Sequence, residues 1–276
     1  MAGVRLILDG VVAALRADPH KRFVYCEMAF FSRWWRQQGA STQAAVRALV
    51  AEGRLSFANG GWVMHDEAAS HYADMITQTA RGHRFLSDQF GAGALPTVGW
   101  QLDPFGHSAL QATLMGAELG FGAVFLGRAD YDDLAGRRAT RRLELGWAPS
   151  GSAPGARTLA MVLGSGNYGP PPGFDWDVNS GGEAPPVVDD PAMGAEFNVH
   201  GRVDAFVDAA QEWATLFQGA GPGGDVMFTM GSDFHYQATA LAPPPAPALR
   251  APRPAPRRRR PPVGRRLTFG LTTWTV

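Results

Sequence analysis

The sequence predicts an α/β fold with a mainly parallel sheet, and three observations predict it. Short apolar, β-favouring runs alternate along the chain with segments whose apolar residues recur at helical spacing. Glycine, proline and small polar residues punctuate the junctions. Two of the strand-like runs lead directly into carboxylates, at Asp103 and near Asp233. Parallel strands need long crossover connections, and helices supply them, so repeated β–α units imply strands in one sheet with helices outside it. Ligands in such folds bind at the carboxyl ends of the strands.

Each element follows from its own pattern. Val4, Ile7, Leu8, Val11, Val12 and Leu15 form one helical face, and Asp18-Pro19 breaks the helix. Arg22 to Phe31 reads as a strand. Ser41 to Glu52 reads as a helix with Ser41 as its N-cap and Gly53 at its C-terminal end. Leu55 to Val63 reads as the next strand, and Glu67 to Phe90 as a long helix. A Gly/Pro loop leads to the strand that ends in Asp103; a helix over 108–119 and a strand over 122–127 follow. The segment Ala129 to His200 is rich in Gly and Pro and reads as a long excursion, with only short strand-like runs such as Thr158 to Leu163. Val203, Phe206, Val207, Ala210, Ala214 and Phe217 restore helical spacing, and Asp225 to Met230 reads as a strand ending near Asp233. The strands near 23–30, 55–63, 98–103, 122–128 and 225–231 are therefore expected in one parallel sheet.

Composition narrows the function classes. With 276 residues, 45% hydrophobic and 18% charged, the chain is long enough to bury a sizeable core. A formal net charge of zero argues against a nucleic-acid-binding or membrane-surface protein as a whole. Cys26 is the only cysteine, so neither an internal disulfide nor a CxxC zinc site is possible. Residues 1–20 lack the apolar core of a signal peptide, Asp9 interrupting the one candidate run, and no stretch has the length needed to span a bilayer. Residues 238–276 are Pro/Ala/Arg-rich and include the run Arg257 to Arg260; such a tail cannot bury enough apolar surface to order itself. It reads as disordered, either as an anionic-surface or nucleic-acid tail or as a non-coding stretch in translation.

The segment Trp100-Gln101-Leu102-Asp103-Pro104-Phe105-Gly106-His107-Ser108 carries the strongest functional signal. An apolar run stops at a carboxylate and the chain turns, which suits a catalytic acid at a strand end or, more plainly, a helix cap with Ser108 as the nearer one. This segment, with Phe23 to Trp35, Phe57 to Ala68, Gly82-His83-Arg84-Phe85-Leu86, Phe125 to Tyr131 and Thr229 to Phe234, resembles the α-mannosidases of glycoside hydrolase family 38, the lysosomal type above all. The blocks occur in the family's order from about residue 4 to Gln237.

The resemblance implies the irregular parallel β/α barrel of that family's catalytic domain over residues 1–237, incomplete at both ends. It implies a retaining glycosidase acting on mannose-containing oligosaccharides or N-glycans, in a lysosome or vacuole. Such enzymes need two carboxyl groups close together. By resemblance Asp103 is the nucleophile and Asp233 the acid/base, expected about 5–6 Å apart in one cleft. Arg128 matches an active-site arginine, Tyr168 an aromatic that packs against the sugar, and Trp62 and His107 match framework positions.

Family members also bind zinc through an H-x-D motif, the nucleophile and a distant histidine. None of the seven histidines here is followed by Asp two positions later, so of the expected ligands only Asp103 is present. The family pattern implies that the chain starts after the first motif and diverges before the last histidine. A lone carboxylate does not hold zinc usefully. The expectation is an α-mannosidase domain with little activity and weak zinc binding as given, and with poor solubility. The alternative is a non-catalytic, mannose-binding remnant of the same fold. A basic tail that binds nucleic acid is a third reading.

Overall fold

The computed structural model describes residues 2–149, 151, 155–164, 168–171, 173, 174, 177, 187, 188, 190, 192–217 and 227–237. Among the described residues seven α-helices and six strands are formed in the order α1 (Ala2–Ala17), β1 (Phe23–Tyr25), α2 (Met28–Trp35), α3 (Ala40–Ala51), β2 (Leu55–Phe57), α4 (Tyr72–Phe90), β3 (Val98–Gln101), α5 (Ala109–Ala112), β4 (Ala123–Leu126), α6 (Tyr131–Thr140), β5 (Glu144–Trp147), β6 (Thr158–Val162) and α7 (Val199–Ala214). A π-helical turn, Thr113–Glu118, continues α5. The architecture is mixed α/β.

The strands form two small sheets where one was expected. β1 lies parallel to β2, Phe23 opposite Leu55 and Tyr25 opposite Phe57. The second sheet has the order β3-β4-β6-β5, with β3, β4 and β6 mutually parallel and β5 antiparallel at the edge. The sheets are open at their edges, and a closed barrel is not formed among the described residues. They meet at Asn59. Its backbone N–H donates to the Val98 carbonyl at 3.0 Å, its Oδ1 accepts from the Trp100 N–H at 2.5 Å, and its Nδ2 donates to the Trp100 carbonyl. One side-chain amide thus stands in for a strand neighbour. Asn59 and Gly60 make this possible by both taking left-handed φ, 54° and 71°, which asparagine and glycine tolerate best.

Several sequence expectations change. The apolar run over 22–31 is a strand only at Phe23–Tyr25; from Met28 it is helix α2. The reason is packing: Phe31 lies within ring contact of Tyr25, Trp34, Trp35, Phe57, Phe85 and Phe90, and a helix gathers Phe31, Trp34 and Trp35 on the buried side. The strand expected over 55–63 is cut to β2 by the Asn59-Gly60 turn. Helix α3 starts from Gly39 with no side-chain cap, so Ser41 is not its N-cap; Gly53 does end it in the left-handed region, at φ 66°. Helix α4 begins at Tyr72, five residues later than expected, with His71 accepting from the Ala73 N–H at 3.2 Å. The segment 129–200, expected to be an excursion, contributes α6, β5 and β6, and β6 pairs in parallel with β4 inside the sheet. Residues 227–230 carry no strand pairing, and residues 225 and 226 lie outside the described residues. The Pro/Ala/Arg-rich tail over 238–276 also lies outside them.

Three apolar clusters result. One joins α1 to α4 around the β1–β2 sheet, and a second joins the larger sheet to α7 and Phe228. Cys26, Ala58, Trp100, Leu102, Leu163 and Tyr168 form a third and smaller one. All except Trp100 and Tyr168 come directly after strands β1, β2, β3 and β6, so this cluster is a floor at the carboxyl ends of both sheets. No helix among the described residues is long and apolar enough to cross a membrane.

Candidate active site

The parallel strands β3 and β4 end side by side, Gln101 opposite Leu126. Asp103 follows β3 and Arg128 follows β4, so the shared register delivers both side chains to one edge. Their close approach depends on Gly127: a Cβ there would stand 2.3 Å from the Leu102 carbonyl oxygen, too near for any other residue. Arg128 donates from Nε to Asp103 Oδ1 at 2.7 Å, and its Nη2 lies 2.5 Å from the same oxygen. The pair is open to solvent, with 36% of the Asp103 side chain and 44% of the Arg128 side chain exposed. At that exposure an ion pair adds only about 0.2–1 kcal/mol of stability. Its chemical effect is larger, because a fixed guanidinium orients the carboxylate. The same contact with Asp103 raises the Arg128 pKa further.

Tyr168 and Asp233 complete the group. The Tyr168 ring is buried in the floor, and its hydroxyl donates towards Asp233, 3.3 Å from Oδ1 and 3.4 Å from Oδ2. The Arg128 guanidinium carbon stands 6.0 Å from the Tyr168 ring centre. Burial raises the Tyr168 pKa first; the charges of Asp233 and Asp103 add to it, while the Arg128 contact opposes it. Tyr168 thus touches Asp233 through its hydroxyl and stands beside the Arg128 guanidinium that holds Asp103, although the two acids are far apart in sequence. Asp233 itself is exposed, in the turn that follows residues 227–232.

The four residues singled out from the sequence, Asp103, Arg128, Tyr168 and Asp233, are thus joined through direct contacts. Two details differ from expectation. Tyr168 offers its hydroxyl to the cleft rather than a ring face. An exposed aromatic beside the Asp103–Arg128 pair is Phe105, 87% accessible, with the Arg128 guanidinium 5.3 Å from its ring centre. A bulky apolar residue two positions beyond a strand-end carboxylate, in a turn, is the signal that could have revealed it.

Beneath Asp103 lies a polar layer that the sequence did not disclose. Glu67, between β2 and α4, accepts from Gln101 Nε2 at 2.8 Å and from the Ser108 backbone N–H at 2.7 Å. His107 sets Nδ1 3.0 Å from Glu67 and Nε2 2.9 Å from the Arg128 carbonyl oxygen. His65 sets Nδ1 2.9 Å from Gln111 Oε1 and Nε2 2.8 Å from the Thr79 hydroxyl. Trp62 serves the framework: Ala29 donates to its carbonyl at 2.8 Å, and Arg81 lies 3.8 Å over its ring.

With this geometry in place, comparison with known proteins decides the lineage. The family described as "Glycosyl hydrolases family 38 N-terminal domain" matches residues 1–242. The chain belongs to glycoside hydrolase family 38. It is 50% identical over 238 residues to a protein named lysosomal alpha-mannosidase from Cavia porcellus, covering 86% of this chain and 23% of that one. It is 45% identical over 236 residues to an alpha-mannosidase from Canavalia ensiformis, with the same coverage of 86% and 23%. The human lysosomal alpha-mannosidase is 46% identical over 238 residues. The chain therefore spans 23% of the length of these curated relatives. Among solved structures, an alpha-mannosidase from Enterococcus faecalis V583 aligns with a TM-score of 0.51 at 16% identity, over 75% of this chain and 20% of that one, a likeness of fold.

The zinc expectation can be tested against the donors on hand. Among the described residues no three His, Cys, Asp or Glu side chains group to hold a metal ion. Asp103 Oδ1 is occupied by Arg128, a cation, and both ring nitrogens of His65 and of His107 face other partners. These residues do not fit a zinc centre.

Proposed function

We propose that this chain carries the carboxylate pair of a retaining α-mannosidase, with Asp103 as nucleophile and Asp233 as acid/base. The observation that supports this reading most is the linked set Asp103–Arg128 and Tyr168–Asp233, with the Arg128 guanidinium 6.0 Å from the Tyr168 ring centre. Two carboxyl groups in one cleft are what double displacement requires. Asp103, oriented by Arg128, attacks the anomeric carbon, and a glycosyl ester forms as the bond to the leaving oxygen breaks. Asp233 gives its proton to that oxygen, then takes one from water as the water cleaves the ester. Tyr168 orients Asp233 for both transfers, and the open face of Phe105 suits the apolar side of a sugar ring. Mannose-containing oligosaccharides or N-glycans are the substrate class, and a lysosome or vacuole the location, by analogy with relatives that bear those names. The two sheets joined at Asn59 read as neighbouring arcs of an irregular parallel β/α barrel occupying residues 1–237.

A second reading, a mannose-binding domain without catalysis, is favoured by one observation: the described residues contribute Asp103 alone towards the zinc that family resemblance implies. The experiment that separates them is a chimera in which residues 1–237 replace the matching segment of the guinea-pig enzyme. Hydrolysis of a chromogenic α-mannoside by the chimera, abolished by Asp103→Asn and by Asp233→Asn, supports the catalytic reading; an inactive, folded chimera that still binds mannose supports the other. The 276-residue chain by itself is expected to release little mannose and to retain less than one zinc per chain after dialysis.

A further inference from the structure

A buried histidine, His65, and a half-buried one, His107, lie on the same polar layer, and their partners differ in kind. His65 faces an amide and a hydroxyl: the Thr79 hydroxyl gives its proton to the Met75 carbonyl and accepts from Nε2–H, and the Gln111 amide can turn its NH2 to Nδ1, so a neutral ring satisfies both. His107 faces the Glu67 carboxylate and the Arg128 backbone carbonyl, which only accept. A neutral imidazole has one N–H and one lone pair and can serve just one of them. The ring meets both only as the doubly protonated cation. The Glu67 side chain is 1% exposed and the His107 side chain 11%, so the carboxylate is shielded on the ring's Nδ1 side.

We propose that His107 is a pH-sensitive positioning residue which, as a half-buried imidazolium, ties Glu67 to the Arg128 carbonyl and thereby sets the Arg128 guanidinium on Asp103. The proposal deepens the glycosidase reading and rests on it for the meaning of Asp103. The chain of contact is short: Glu67 fixes His107, His107 holds the Arg128 backbone, and the side chain of that same residue grips Asp103. When the proton leaves, the stronger acceptor, the carboxylate, keeps the N–H at Nδ1. The Nε2 lone pair then opposes the carbonyl lone pairs, and the Arg128 backbone is released.

The groups facing His107 agree with this. Burial lowers its pKa, but the hydrogen bond and charge of Glu67 and the Arg128 carbonyl raise it more, and the net direction is upward from 6.5. β3 and the start of α5 present neutral Gln101 and Ser108, Arg128 turns its guanidinium to Asp103, and β5 presents the Trp147 ring, 6.4 Å away and non-titrating. A group whose folded-state pKa is raised stabilises fully below its unfolded pKa and loses that contribution as pH rises through the folded value. The clamp is thus complete in acid and opens towards alkaline pH. His65 is an internal control, its pKa lowered by burial.

Side-chain nitrogen NMR on the full chain tests this from about pH 5 to 8. Both His107 nitrogens should carry protons at the acid end, with a midpoint above the ordinary histidine value, and the Arg128 Nε–H resonance should move with that same midpoint. His65 should titrate below the ordinary value. In Glu67→Gln the His107 midpoint should fall, and the Arg128 resonance in acid should shift to its wild-type alkaline position. If that variant does not fold, the wild-type titration decides alone. A His107 midpoint at or below the ordinary value, or an Arg128 resonance that stays flat through the His107 titration, overturns the proposal. None of these signals depends on sugar, so an inactive chimera with a coupled His107–Arg128 titration removes the glycosidase reading and leaves the clamp.

Discussion

Two ion pairs sit one layer apart and behave as opposites. Asp103–Arg128 is open, with side chains 36% and 44% exposed. Glu67–His107 is closed, with side chains 1% and 11% exposed, and Glu67 accepts two further hydrogen bonds. Water screens the first pair, so its formation contributes little to folding and its carboxylate stays reachable. The second pair is shielded, so each partner compensates a charge that would otherwise be stranded. The upper pair is built to be used, and the lower one to hold it still.

The largest effect that would sharpen this contrast is on turnover. In the active chimera, Asp233→Asn should lower the hydrolysis rate by about 10²–10⁴-fold, and Asp103→Asn by at least as much, while urea unfolding changes little. A comparable fall in stability would mean that the open pair is structural. Next in size, Glu67→Ala should reduce the unfolding free energy by about 3–5 kcal/mol, because it leaves His107 and the Ser108 and Gln101 donors without their acceptor. A urea midpoint within error of wild type would break the comparison from the other side.

A smaller effect is expected from pH. Wild-type stability should decline as pH rises through the elevated His107 pKa, and His107→Gln should flatten that decline; equal slopes in the two proteins would show that the ring is neutral throughout. The smallest effect is expected for Arg128→Leu, which should change the unfolding free energy by less than about 1 kcal/mol. A loss well beyond that, read from denaturant curves, would place Arg128 among the residues the fold depends on.

Much of the site was legible because it follows from strand ends. An apolar run stopping at Asp103 and another stopping before Arg128 suggest one sheet edge, whereas Asp233, expected at a strand end, follows residues 227–230 that pair with no strand, and family resemblance supplies it and Tyr168. Helix α1 was legible too: of the six apolar positions read from the sequence, all but Val11 are fully buried. Other elements were not. The run Phe23 to Phe31 is apolar except for Glu27, and such a run does not distinguish a buried strand from a buried helix. Helix α6 buries no residue, so it has no apolar face to read; Asp130, accepting from the Asp132 and Asp133 N–H groups at 3.0 and 3.1 Å, is its clearest mark. Glu67 lies in a recognised motif, yet nothing local says that its carboxylate is directed to residues forty positions onward.

The sequence by itself determined the α/β alternation, the family and the residues at the strand ends, since these depend on local periodicity and on short motifs. Only the tertiary structure decided that the strands split into two sheets joined through Asn59, that β6 enters the second sheet, and that Phe105 rather than Tyr168 presents its ring to solvent. It alone decided the charge of His107. A histidine's protonation depends on whether its partners accept or donate, and here those partners, Glu67 and the Arg128 carbonyl, are brought to the ring by three separate segments of chain meeting at one sheet edge.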